Sequence, residues 1–305
     1  MNRTPSPPPD SAWARLSTEG RHAESEELDR LPPQRVVELL LDEDRRGLEL
    51  ARREAPAIAT AATWMAEALA GEGVVLFVGA GTSGRLGILE AAECPPTFGT
   101  DPERIRAELA GGPDAVFRAV EGAEDVEADG AAAAAALGAA DLLVAISASS
   151  VTPYARGAIA EARRRGARSV LVTCAAREAV SDAADLVIAL ATGPEVLTGS
   201  TRLKAGSATK ATLNAISTAA MVGLGKVFEN YMVDLRRGSA KLRDRAVRIV
   251  AAAGKVERES AERLLAESEG EVKTAIVRAR TGLDVASARR RLADAGGRVR
   301  AALEG

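Results

Sequence analysis

Four runs of strand length, Val74 to Val78, Leu142 to Ile146, Ser169 to Val172 and Leu186 to Leu190, constrain this chain more than any other feature. They are continuously apolar rather than alternating, the pattern of strands covered on both faces. Helix-compatible segments separate most of them, so the pattern predicts the α/β class: a doubly wound, mainly parallel sheet, with one further strand at Arg104 to Leu109. Arg35 to Arg53 and Ala55 to Ala70 carry apolar residues at helical spacing and predict two helices ahead of the first strand. Ala131 to Ala140 reads as a helix on a packed face.

The two ends differ in composition from the middle. Pro5 to Pro9 hold four of the 13 prolines, and residues 1–17 are expected to form a disordered lead-in. From Leu203 to about Val233 small and apolar residues predict one long buried helix. Beyond Arg236 come charged helical segments, Ser239 to Ala252, Arg258 to Ser268, Glu271 to Ala279 and Asp284 to Leu303, with Ser239 suited to cap the first. The expected division is a sheet domain with its N-terminal helices over residues 18–237 and a small all-helical domain over 238–305.

Charge and composition exclude several functions. The net charge of -3 comes from 40 basic and 43 acidic residues spread along the chain, and aromatic residues make up 3%. Such a chain advertises neither a basic face nor stacking platforms, so no nucleic-acid partner is expected. No apolar run approaches the roughly 20 residues of a membrane span, and the opening MNRTPSPPPDSAW lacks the roughly 7- to 15-residue apolar core of a signal peptide. The expectations are therefore no membrane partner and a cytoplasmic location. Cys94 and Cys174 read as buried small hydrophobes rather than a bridge. His22, the one histidine, lies in a polar segment, which excludes a Ser-His-Asp triad, a histidine-rich zinc site and an HExxH helix. Acid-base chemistry falls to carboxylates, lysines or tyrosines.

Ligands of open parallel sheets bind at the carboxyl ends of the strands, and three loops fall there. The first, Gly79 to Gly84, reads GAGTSG, a G-x-G-x-x-G pattern. A dinucleotide site wants an acidic residue about 20 positions on, at the end of the second strand. Asp101 and Glu103 are near that distance but precede the candidate strand. Thr82 and Ser83 instead suit the oxygens of a phosphate monoester at a helix N-terminus, while tight packing is the competing reason for the glycines. The second loop, Ser147 to Pro153, carries four hydroxyls, more than a helix cap and a first-turn proline require. The third, Thr198 to Ser207, brings further hydroxyls together with Arg202 and Lys204 to the start of the long helix, where the dipole favours an anion. Together they describe a pocket for a phosphorylated small molecule rather than a dinucleotide.

The same residues carry a resemblance. GAGTSGRLGILEAAECPPTFG, VEGAED at Val120 to Asp125, the S-x-S-x-x-T-P-Y of Ser147 to Tyr154, TGSTRLKAGSATK and KVFENYMVDL resemble the N-acetylmuramic acid 6-phosphate etherases, which carry a sugar isomerase (SIS) domain. The similarity runs from Thr18 to the C-terminus. It implies a five-stranded parallel SIS sheet flanked by helices, a small helical C-terminal domain, a homodimer, and a reaction without metal or organic cofactor. That reaction, of the carbon-oxygen lyase type, cleaves the D-lactyl ether of N-acetylmuramic acid 6-phosphate. It gives N-acetylglucosamine 6-phosphate and D-lactate during peptidoglycan recycling.

The resemblance places the catalytic pair at Glu93, as proton donor, and Glu124, as partner acid or base. Glu93 is expected at the end of the helix that Gly84 opens, because Pro95 and Pro96 follow. There the helix dipole and apolar neighbours would favour its protonated form. Glu124 sits in a charge run with Glu121, Asp125 and Glu127, and a run of this kind is ordinarily a solvated face. For the phosphate the expected ligands are Ser83, Ser147, Ser149 and Thr152, supported by Thr82. Ser200, Arg202 and Lys204 are expected nearer the sugar or a second subunit. Two departures from the family pattern stand out: Ser150-Val151 replaces a Gly-Arg pair, and His22 replaces an asparagine in a segment expected to close over the sugar. Two SIS alternatives are a non-catalytic sugar-phosphate regulator, like the glucokinase regulatory protein, and an aldose-ketose isomerase. A dinucleotide oxidoreductase is a third.

Overall fold

The computed structural model describes residues 16–181, 184–236 and 238–305. All but the last two residues of the expected disordered lead-in lie outside them. The chain divides into two compact units, one running to Glu90 and resuming over Arg106–Ile216, the other built from Ala91–Ile105 and Ser217–Gly305.

The first unit opens with short 3-10 turns between Ser17 and Arg30, followed by helices α1 (Pro33–Arg53) and α2 (Ala55–Ala70). A βα alternation follows: β1 (Val75–Gly79), α3 (Gly81–Phe98), β2 (Ile105–Leu109), α4 (Glu127–Ala134), β3 (Leu142–Ile146), α5 (Pro153–Arg164), β4 (Arg168–Thr173), β5 (Leu186–Ala189) and α6 (Lys204–Gly223). The five expected strands are all present, in the order β2-β1-β3-β4-β5. Pairs β1/β3, β3/β4 and β4/β5 are parallel, with Val75 opposite Leu142 and Leu142 opposite Arg168. Every residue of β1 and β3 is buried, the reason those runs are continuous rather than alternating. One face packs Leu76, Leu143 and Leu171 against Tyr154, Ala158 and Ile159 of α5. Each such large apolar side chain contributes roughly 1.5–3 kcal/mol when fully buried.

This strand order reverses direction between β1 and β3, and ligands bind at such a switch point. Glycine is required there. A Cβ on Gly84 would lie 2.2 Å from Leu109 Cδ1 and 2.5 Å from the Gly79 carbonyl oxygen. The first turn of α3 thus packs backbone to backbone on the end of β1.

Two helix ends differ from the sequence expectation. Pro95 and Pro96 do not end α3; they lie inside it, and the helix runs to Phe98. Each proline removes one helical N–H, but only in the last turn, and the Gly99 N–H closes the helix on the Pro95 carbonyl. The expected helix from Leu203 to Val233 is shorter: α6 ends at Gly223. Gly225 takes φ +71, and the chain then forms a small hairpin, β6 (Val227–Phe228) with β7 (Tyr231–Met232), Glu229 supplying the left-handed turn at φ +53.

The rest of the second unit is helical: α7 (Ala240–Gly254), α8 (Arg258–Glu267), α9 (Val272–Thr281), α10 (Val285–Asp294) and α11 (Val299–Glu304). Ser239 caps α7 as expected, its hydroxyl accepting from the Leu242 N–H at 3.2 Å. The segment expected as one helix from Asp284 to Leu303 is two, separated at Gly296 and Gly297 with φ +60 and +73. Phe228, Val233 and Leu235 share one core with Ile249, Val250, Ile276 and Leu292, so the compact unit extends N-terminal to residue 238. No helix among the described residues is long and apolar enough to cross a membrane.

Candidate active site

At the switch point the first unit holds a cavity of about 340 Å³. The α3 N-terminus supplies Gly81, Thr82 and Ser83 to its wall, and the loop after β3 supplies Ala148, Ser149, Val151, Thr152 and Pro153. The amides of a first helical turn have no acceptor within the helix. With Pro153 opening α5 beside them, two positive dipole ends border one space.

The second loop is held from behind. The Ala148 carbonyl accepts from the Cys174 N–H at 3.0 Å and from the Thr173 hydroxyl at 3.2 Å, both at the end of β4. Ser147 is buried, and its Oγ lies 2.9 Å from Thr152 Oγ1; it orients Thr152 rather than lining the cavity. Ser150 adopts φ +67, a left-handed position that glycine takes without strain.

The same wall also carries acidic residues. Glu124 and Asp125 enter it from a 3-10 turn, and Glu19 enters with Leu16 and Thr18 from the N-terminal segment. Among the described residues the lining contains three carboxylates and no lysine, arginine or histidine. The segment expected to close over the sugar does supply wall residues. His22 itself turns away, its Nε2 lying 3.3 Å from Glu43 Oε2 and its Nδ1 accepting from the Glu24 N–H.

The third loop divides. Gly199 and Thr201 line the cavity, whereas Ser200 and Arg202 do not, and Arg202 is exposed. Lys204 is buried, its Nζ donating to Glu43 and, at 2.8 Å, to the Pro194 carbonyl. Arg46 reaches the other oxygen of Glu43 at 2.6 Å. Burial pushes the Glu43 carboxyl upward, but the hydrogen bond and charge of Lys204, aided by Arg46 and His22, outweigh it and hold the group below its ordinary range.

The anion expected at the α6 N-terminus turns out to be the protein's own. The Glu195 carboxylate, 1% exposed, accepts from the N–H groups of Lys204 at 3.2 Å and Ala205 at 2.8 Å. Burial raises its pKa even so. That end of α6 is therefore not open to a ligand.

Glu93 is exposed and lies in the stretch of α3 assigned to the second unit. It is not part of the cavity lining. Of the expected site residues, the structure brings Thr82, Ser83, Ser149, Thr152 and Glu124 into one cavity wall, with Ser147 directly behind. Sequence reasoning missed Glu19 and Asp125 in that wall. In the sequence Asp125 reads only as part of a charge run, and Glu19 only as part of the polar segment around His22.

Other candidates recede. Burial raises the Tyr154 phenol to about 12, with Glu108 and Asp129 adding to it, so it is no base near neutrality. Cys94 and Cys174 are both buried and unbridged, and burial lifts the Cys174 thiol to about 11. Among the described residues no group of three or more His, Cys, Asp or Glu is placed to hold a metal ion.

Comparison with known proteins identifies the chain's relatives. Residues 57–163 match the glucokinase regulatory protein N-terminal SIS domain, and residues 119–219 match the SIS domain. An N-acetylmuramic acid 6-phosphate etherase of Gloeobacter violaceus is 49% identical over 95% of this chain and 96% of its own length. Proteins of the same name from Cutibacterium acnes and Salmonella choleraesuis are 46% and 45% identical, covering 97% and 95% of this chain and 98% of their own lengths in each case. The chain belongs to the N-acetylmuramic acid 6-phosphate etherase family.

Proposed function

We propose that this protein is a carbon-oxygen lyase that cleaves the D-lactyl ether of N-acetylmuramic acid 6-phosphate, releasing D-lactate and N-acetylglucosamine 6-phosphate in cell-wall amino sugar recycling. The observation that carries the reading is near full-length identity of 45–49% to etherases in a chain whose switch-point cavity joins phosphate-type donors to a carboxylate wall.

The chemistry suits that division. In the open sugar the ether oxygen stands on C3, beta to the C1 aldehyde. A base that removes the C2 proton forms an enolate, and the enolate expels lactate as an acid protonates the departing oxygen. Water then adds at C3 of the unsaturated aldehyde. We assign the base to Glu124, which is in the cavity wall. The acid is assigned to Glu93, supported by its place in AAECPP and by the resemblance alone.

Thr82, Ser83, Ser149 and Thr152 are the phosphate ligands in this account, with Ser147 behind them. The phosphate is remote from the bond that breaks, so its binding energy fixes the sugar with C2–H towards the base. Ser200 and Arg202 are left for the sugar's outer face or a neighbouring subunit, and Lys204 acts from beneath as an anchor.

A homodimer in the cytoplasm completes the reading. Val37, Leu41 and Leu48, spaced four and seven residues apart on α1, are 53%, 64% and 48% exposed. A stripe of this kind is one that a second chain covers.

The test is D-lactate release from N-acetylmuramic acid 6-phosphate by the wild type, E93A and E124Q. Release by the wild type with loss in both variants is expected. Conversion to a ketose phosphate without lactate would favour the isomerase. Tight binding without turnover would favour the regulator.

A further inference from the structure

The geometry points to Arg85 as the positioning residue that holds Glu124 in the cavity wall, an inference that rests on the reading of Glu124 as base. Glu124 sits in a stretch, residues 111–125, that contains no strand and no α-helix. It has only two 3-10 turns, Pro113–Val116 and Ala123–Asp125. Gly111, Gly112 and Gly122 all take left-handed backbone, at φ +85, +72 and +75. Phe117, the largest apolar side chain of the stretch, is 88% exposed. Ala115 is buried and Ala123 makes a small apolar contact with the core.

The turn of Glu124 packs on α5, but the stretch before it has little to hold it to the sub-ångström tolerance that proton transfer demands. Arg85 supplies the missing restraint. From the N-terminal part of α3, where it is the fifth residue, its Nε donates to the Val116 carbonyl at 2.8 Å, and its Nη2 donates to the carbonyls of Ala115 at 2.7 Å and Arg118 at 3.3 Å. Among the described residues these are the side-chain hydrogen bonds that tie residues 111–125 to the rest of the first unit.

The guanidinium has no carboxylate partner among the described residues, so its charge is directed onto three main-chain carbonyls. Its planar fork allows this where a lysine's point charge would not. A second cavity of about 190 Å³ is lined by Arg85 and by parts of the loop, and shares Ala80, Gly81 and Glu124 with the first. The arginine therefore bridges a space that apolar packing does not fill. The turn of α3 that carries Arg85 also carries Thr82 and Ser83, so one rigid element sets both the phosphate contacts and the loop bearing the base.

The experiment compares R85A and R85K with wild type, alone and combined with E124Q. Hydrogen exchange is followed over residues 111–125, and binding of N-acetylglucosamine 6-phosphate is measured. A positioning role predicts faster exchange in the loop and a kcat lower by about 10- to 100-fold, with product affinity within about twofold. It also predicts little further loss when R85A is added to E124Q, because residues acting through one group are not additive. R85K, which keeps the charge and loses the fork, should share the defect and covers the case in which R85A fails to fold. Unchanged exchange and kcat in R85K, or an R85A loss that multiplies fully onto E124Q, would overturn the inference. A fully active E124Q would instead remove the Glu124 reading and this inference with it, whereas an impaired E124Q beside an unimpaired R85K removes only this one.

Discussion

Ser150 holds its backbone at φ +67 in a loop that borders the cavity, and a residue with a Cβ is strained there. Ser150→Gly should stabilise the protein by about 1 kcal/mol, read as a higher urea midpoint at unchanged denaturant slope. No gain would mean that the loop relaxes by some other route. Ser83→Ala removes a hydroxyl from the phosphate side of the wall. A hydrogen bond to a charged group is worth about 1.5–3 kcal/mol, so KM should rise at least about tenfold while kcat changes little. Equal losses in kcat and kcat/KM would place Ser83 nearer the reacting carbons. Lys204 belongs to a different class, being paired to Glu43 with side chains 3% and 5% exposed. Lys204→Met leaves that carboxylate without its main partner and should cost about 3–5 kcal/mol, while the E43L/K204M pair should recover most of it. Glu43 also fixes the pH sign. Its folded pKa is depressed, so its contribution is complete above the unfolded value near 4.5 and is lost as pH falls through the folded value. The double variant should therefore show a flatter decline of stability under acid, measured by urea midpoints across that range. Glu195, raised by burial, acts in the opposite direction.

At the scale of elements, the centre of the sheet was readable because β1 and β3 are covered on both faces and their apolar runs are unbroken, whereas β2, with Glu108 exposed, gives a weaker pattern. The first glycine turn at the cavity was readable because Gly79 and Gly84 are forced by backbone contact, while Thr82 and Ser83 line the cavity. What escaped had physical reasons. The β6 and β7 hairpin spans two residues per strand, too short to show alternation within an apolar stretch. Pro95 and Pro96 read as a stop, but prolines in a last turn cost few hydrogen bonds, and α3 continues past them. The third loop read as an anion site because its cations and hydroxyls cluster in sequence. The fold sends Lys204 inward to Glu43 and closes the α6 N-terminus with Glu195, 9 residues upstream, a pairing that no local pattern announces. Glu195→Ala should accordingly destabilise α6 by about 0.5–2 kcal/mol, the usual cost of losing an N-terminal cap, and melting curves of the variant would show it.

For the whole molecule, the compact second unit includes Phe228, Val233 and Leu235 in one core with the C-terminal helices. A fragment of residues 217–305 should keep more of its helicity on heating than one of 238–305, since the shorter piece leaves that core without three large apolar side chains. Equal stability would favour a folding boundary at 238. Sedimentation should give twice the chain mass, and charged substitutions at Leu41 and Leu48 should lower it towards the monomer. The central claim, that the cavity carries out elimination followed by hydration, is tested most directly by letting the protein act on N-acetylmuramic acid 6-phosphate in ¹⁸O-labelled water. The account predicts D-lactate without label and N-acetylglucosamine 6-phosphate carrying label in the oxygen on C3, because the ether oxygen leaves with lactate and solvent replaces it. Label in the lactate, or sugar phosphate consumed with no lactate formed, would contradict it.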